Sequence, residues 1–155
     1  MLPQPARDGA ATTVRSRTDL KERTMPDTYA YLIIEPDWDS DTHLAQARRG
    51  GTTSEMSDEF AAHKAFQVAV AELGAQIVGG AALQNAKYGA VVRPGSGDDK
   101  VAGAVYTDAP YTESAEIVTG FYLVRVDDED TARRIAALVP TGGVVEMRKV
   151  FPTGG

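Results

Sequence analysis

Cysteine is absent from the chain, and its absence removes a disulfide framework, a thiolate metal site and cysteine nucleophilic chemistry together. Long apolar runs are missing too. Nothing approaches the roughly 20 residues a membrane-crossing helix needs, and the N-terminus has no short apolar core of a secretory signal. Basic charge is scarce: 16 Lys and Arg face 22 Asp and Glu, for a net charge of −6. No stretch clusters cations with interleaved aromatics, so neither a nucleic acid nor a membrane is expected as a partner. The default location on these grounds is the cytoplasm. What remains is an ordinary balance, 43% hydrophobic and 25% charged over 155 residues, enough for one domain with its own core.

Residues 1–27 are rich in Pro, Gly, Thr, Arg and Asp without periodicity, and read as a flexible leader. Met25 leaves two accounts of it open, an extension upstream of a start at Met25 or an ordinary disordered tail. The domain itself is expected over 28–152.

Tyr29 to Glu35 (YAYLIIE), bounded by Pro26 and Pro36, has the composition and length of a buried strand. Pro36 to Thr53 reads as a polar loop with one helical turn near His43 to Arg48, and loops of that length inside compact domains tend to have a job. Ser54 to Gly74 reads as a helix, with acids in its first turn and Gly74 as its stop. At about 100° per residue, Phe66, Val70 and Leu73 share one sector, with Met56 and His63 at its edge. Ala75 to Leu83 reads as a strand whose Gly79-Gly80 pair signals a bulge or a close backbone approach.

Lys87 to Arg93 and Lys100 to Thr107 flank the turn-rich PGSGDD and suggest a hairpin. Ile117 to Val126, apolar on both faces at its start and centre, reads as a central strand. Asp127 or Asp128 caps a second helix to about Val139, with Ile135, Leu138 and Val139 inward. Val144 to Phe151 closes the chain as a strand.

This order predicts an α+β domain on the ferredoxin-like (split βαβ) plan with an inserted β-hairpin. Two helices cannot cover both faces of such a sheet. A second copy over the bare face is the economical solution, so an isologous homodimer of the dimeric αβ-barrel type is expected, with clefts between helix, sheet and partner.

The segment TDAPYTESAEIVTGFYLVRVDDEDTARRIAALVP, residues 107–140, resembles the signature of the DGPF family within the YCII-related superfamily, usually close to TDGPFxExKE, then GGYY and an acidic-capped helix. YLIIE at 31–35, HKAFQVAVAELGAQIVGGAALQ at 63–84 and VVEMRKV at 144–150 extend the resemblance over most of 29–151. Asp108, Pro110 and Glu113 match the pattern; Ala109 replaces its glycine, Tyr111 its phenylalanine, and Ala115-Glu116 its Lys-Glu pair.

The resemblance implies a ferredoxin-like, usually dimeric domain, in a family often encoded beside extracytoplasmic-function sigma factors. It also implies a histidine–aspartate dyad, which some relatives use in eliminations such as dehydrochlorination of aromatic intermediates. Here His63 and Asp108 are the candidates. A carboxylate fixing one imidazole nitrogen leaves the other to take a proton, which suits a cofactor-free lyase or isomerase acting on a small organic molecule. Tyr111 and Glu113 share the segment with Asp108 and are candidates for substrate binding.

The plainer reading makes His63 a half-buried helix residue and Asp108 a turn-former before Pro110. The competing function is a noncatalytic small-ligand-binding or interaction module tied to a sigma-factor circuit. Asp39, Asp41 and His43 alternate as metal ligands might, but their spacing fits no known ligand geometry and no metal is expected. Tyr106, Tyr111 and Tyr122, with Trp38 from the long loop, are candidates to line a pocket.

Overall fold

The computed structural model describes residues 26–51, 54–108 and 116–153. Six strands and three α-helices follow in the order β1 (Asp27–Glu35), α1 (Ser40–Arg48), α2 (Ser54–Glu72), β2 (Gln76–Ala82), β3 (Ala90–Arg93), β4 (Val105–Asp108), β5 (Ile117–Val126), α3 (Glu129–Leu138) and β6 (Val144–Lys149). Four strands form one antiparallel sheet in the order β2-β5-β1-β6, while β3 and β4 pair as a separate ribbon. The chain is therefore a mixed α and β domain with antiparallel sheets.

Strand β1 shows why the sheet has a dry face. Its side chains alternate, so Tyr29, Tyr31 and Ile33 are buried while Ala30, Leu32 and Ile34 on the opposite face are only half-buried. Val124 of β5 lies opposite Tyr29, and together with Val126, with Phe66 and Val70 of α2 and with Ala132, Ile135 and Val139 of α3 and its C-terminus, these residues form one core. Both longer helices thus cover the same face. The Tyr31 hydroxyl reaches through this core to donate to the Ala132 carbonyl at 2.8 Å, tying sheet to α3.

Local chemistry accounts for the element ends. After α2, Gly74 takes φ +76°, and the Gly74 and Ala75 amides donate to the Ala71 and Val70 carbonyls, closing the helix in a Schellman turn. Asp128 caps α3 by accepting from the Thr131 amide at 2.7 Å. The expected irregularity of β2 is a register shift against β5 between Ile77 and Gly79. A Cβ on Gly80 would lie 2.8 Å from the Phe121 carbonyl oxygen and 3.0 Å from Cδ1 of Tyr122, so the backbone there runs too close for a side chain.

Three expectations need correction. The long loop after β1 holds a full helix, α1, because Asp39 serves as its N-cap and accepts from the Thr42 amide and hydroxyl. The hairpin strands are shorter than expected: the one from Lys87 begins only at Ala90, since the Asn85 side chain accepts from the Lys87 amide and starts a 3-10 turn over Ala86–Tyr88. The one from Lys100 begins only at Val105, after turns closed by the Gly103 and Ala104 amides on the Asp99 and Val101 carbonyls. Leu138 is 46% exposed rather than inward; Ala132, too short to register as a core residue in the sequence, is fully buried in the face of α3. None of the described helices is long and apolar enough to cross a membrane.

Candidate functional site

His63 lies half-buried on α2, three residues before the buried Phe66. That spacing sets both rings over one neighbour on β5. Tyr122 packs against Phe66 with ring centroids 4.8 Å apart and against His63 at 5.8 Å. Its hydroxyl is 2.5 Å from Nδ1 of His63, a short polar contact at the margin of the core. The glycine at position 80 is what lets β2 pass beside the Tyr122 ring.

The second imidazole nitrogen faces outward. Nε2 of His63 is 3.5 Å from Oε1 of Glu59, one helical turn earlier; the histidine side chain is 25% exposed and the glutamate 59%. Tyr122 is different in kind: burial raises its phenol above the ordinary tyrosine value, which keeps the group neutral and a competent hydrogen-bond partner. The result is an imidazole with one nitrogen anchored in the fold and the other at the surface beside a carboxylate.

Asp108 ends β4 on the separate ribbon, exposed and opposite Ala90. Among the described residues no hydrogen bond joins it to His63; the partners of the two imidazole nitrogens are Tyr122 and Glu59. Tyr111 and Glu113 lie outside the described residues. Of the other aromatic candidates, Tyr106 is 63% exposed on β4, and Trp38 is a strut: its indole N–H donates to the Leu83 carbonyl at 2.8 Å and its ring lies against His43.

Asp39 spends its carboxylate on the cap of α1, while Asp41 accepts from Lys87 and from the Tyr88 hydroxyl. No group of three or more potential metal ligands occurs among the described residues.

Glu35 at the end of β1 was missed by the sequence reading. Its carboxylate accepts from the buried Thr119 hydroxyl at 2.7 Å and from the Thr141 hydroxyl at 2.8 Å, joining β1, β5 and the α3-β6 turn. A hydrophobic strand ending in an acid before a proline looked like a boundary, and nothing in the sequence tied it to two distant threonines. Tyr122 appeared among the pocket aromatics, but not as the partner of His63.

No curated protein matches the sequence significantly. A family model described as the YCII-related domain matches residues 31–153, which takes in the sheet from Tyr31 of β1 onward, its two covering helices and the ribbon. The chain belongs to the YCII-related family.

Proposed function

We propose that this domain is a cofactor-free acid–base catalyst for small organic molecules, a lyase or isomerase in which His63 moves the proton. The reading is carried by the 2.5 Å contact between Nδ1 and the Tyr122 hydroxyl, which leaves Nε2 on the accessible side. In the base form, Nδ1–H donates to the Tyr122 oxygen and the Nε2 lone pair faces the substrate. Once Nε2 has taken a proton from carbon, the imidazolium stands 3.5 Å from the Glu59 carboxylate. Tyr122 thereby fills the orienting role that a carboxylate plays in a histidine–aspartate dyad. Asp108 enters the proposal as a second acid–base group, and Tyr111 and Glu113 as substrate-binding residues of the segment that follows it.

The same reading includes a homodimer of ferredoxin-like subunits, supported by the β2-β5-β1-β6 order and by the half-buried second face of the sheet, which lies outside the core formed by the described residues. That face carries Leu32 opposite Phe121 and Ala30 opposite Leu123, flanked by Glu146 and Arg148 of β6. A second copy turned by a two-fold axis would cover the apolar strip and bring opposite charges at its margin together.

Proton NMR in D2O on a panel of enolisable acids, small lactones and chlorinated hydroxy acids tests the catalytic claim. Solvent exchange or elimination by the wild type that His63→Ala loses, and that Tyr122→Phe slows with a displaced pH profile, supports it. An inert wild type, or an unimpaired His63→Ala, overturns it. Sedimentation velocity tests the assembly: a wild-type dimer that Phe121→Arg converts to folded monomer supports it, and a monomeric wild type overturns it.

A further inference from the structure

Helix α1 forms one wall of a cavity of about 390 Å³, at the small end of the range for small-molecule sites. Asp41, Leu44, Ala45 and Arg48 follow at helical spacing on the solvent-open face turned to it, and Gln84 and Tyr88 line the opposite wall.

The two walls are held together by a set of hydrogen bonds more elaborate than a surface loop requires. The fully buried Ser40 hydroxyl accepts from the Asn85 amide at 2.8 Å, the Asn85 side chain donates to the Trp38 carbonyl at 3.1 Å, and the Asp37 carboxylate accepts from the Ala86 amide. With the Trp38–Leu83 bond, these fix the distance across the cavity before anything enters it. Such prior order lowers the entropic cost of binding.

Charge decides the kind of ligand. Asp41 is the acid of the lining, and both its oxygens are engaged, one by the Lys87 ammonium and the other by the Tyr88 hydroxyl. Hydrogen bonding to Lys87 holds the Asp41 carboxyl below its ordinary value, so it stays an internally compensated anion. Arg48 has no ion-pair partner among the described residues. A chain of net charge −6 thus presents, at this cavity, a guanidinium that no ion pair engages among the described residues, the Asp41 carboxylate of the same lining being held by Lys87 and Tyr88.

We infer that this cavity binds a small organic carboxylate with a planar apolar body, its carboxylate on Arg48 and Gln84 and its body between Leu44, Ala45 and the Tyr88 ring. The planar fork of Arg48 matches two carboxylate oxygens, and the Gln84 amide supplies a further donor. The Tyr88 ring, 62% exposed and with the Lys87 ammonium 5.2 Å from its centroid, and the aliphatic side of α1 offer the apolar surfaces that a charged head alone would not need. This site is independent of the proton-transfer reading of His63.

Benzoate is the probe, titrated at low salt into the full-length protein, with amide chemical shifts and calorimetry as readouts. Saturable shifts at Leu44, Ala45, Arg48 and Tyr88 are expected. Arg48→Gln should weaken binding roughly tenfold or more, the loss typical of a hydrogen bond to a charged group. Benzamide, the neutral isostere, should bind weaker by a similar factor, and this arm uses unaltered protein. Absence of saturable shifts, equal affinity for benzoate and benzamide, an unaffected Arg48→Gln, or shifts confined to the surroundings of His63 would each overturn the assignment. The last outcome would leave the His63 reading standing.

Discussion

The two faces of the four-stranded sheet are composed by alternate residues of the same strands, yet they meet opposite fates. On one, Tyr31 and Val124 are sealed under α2 and α3; on the other, half-buried Leu32 and Phe121 stand beside charged residues, outside the core that the described helices complete. The difference teaches that strand hydrophobicity alone does not say how a sheet is covered. Only the count of helices and the side on which they pack do.

Substitutions that weigh one face against the other sharpen this contrast. The largest effect is expected for Ile135→Ala, which empties a fully buried site of α3 and should cost about 2–5 kcal/mol in urea unfolding. A loss under about 1 kcal/mol would mean that α3 does not seal the sheet as described.

Tyr31→Phe comes next, because it strips the Ala132 carbonyl of its donor and should cost about 1–2 kcal/mol. Burial pushes the Tyr31 phenol up to about 12 from 10.0. A raised value in the fold favours the protonated form, so this contribution is complete below pH 10 and is lost as pH rises through about 12. The wild type should therefore weaken steeply in that alkaline window, and Tyr31→Phe less so.

Asp128→Ala should cost about 1 kcal/mol at neutral pH, the usual value of a lost N-cap. Here the sign reverses: the hydrogen bond from the Thr131 amide lowers the Asp128 carboxyl below 3.8, so its contribution is present above that value and disappears as pH falls through the folded one. Thermal melts of variant and wild type should converge in acid. Smallest in dilute protein is Leu32→Ala on the open face; the homodimer proposed above makes the further prediction that its effect grows with protein concentration in melting curves. A loss as large as that of Ile135→Ala in dilute protein would mean that the two faces are equally sealed within one chain.

Much of this arrangement was legible in advance, and the reasons are specific. β1 and β5 are long runs rich in β-branched and aromatic residues, α2 is long with an acidic first turn, and Gly74 and Asp128 are residues whose backbone roles have few alternatives. The α1 region was harder. Its apolar content is low, and its stability comes from a cap and from side-chain bonds to a segment some 45 residues away.

The candidate site was legible by half. Helical phase put His63 at the rim of the buried sector, where it is found. Its partner on β5 depends on strand register, which no local pattern encodes. The same holds for Glu35, whose threonine partners are 84 and 106 positions away.

The missing side chain at position 80 has a further consequence. Because any added carbon would press on both the Phe121 carbonyl and the Tyr122 ring, Gly80→Ala offers a lever on the imidazole–phenol distance that alters neither partner chemically. A graded displacement of Tyr122, read by the imidazole nitrogen chemical shifts, would separate what geometry contributes to proton affinity from what residue identity contributes.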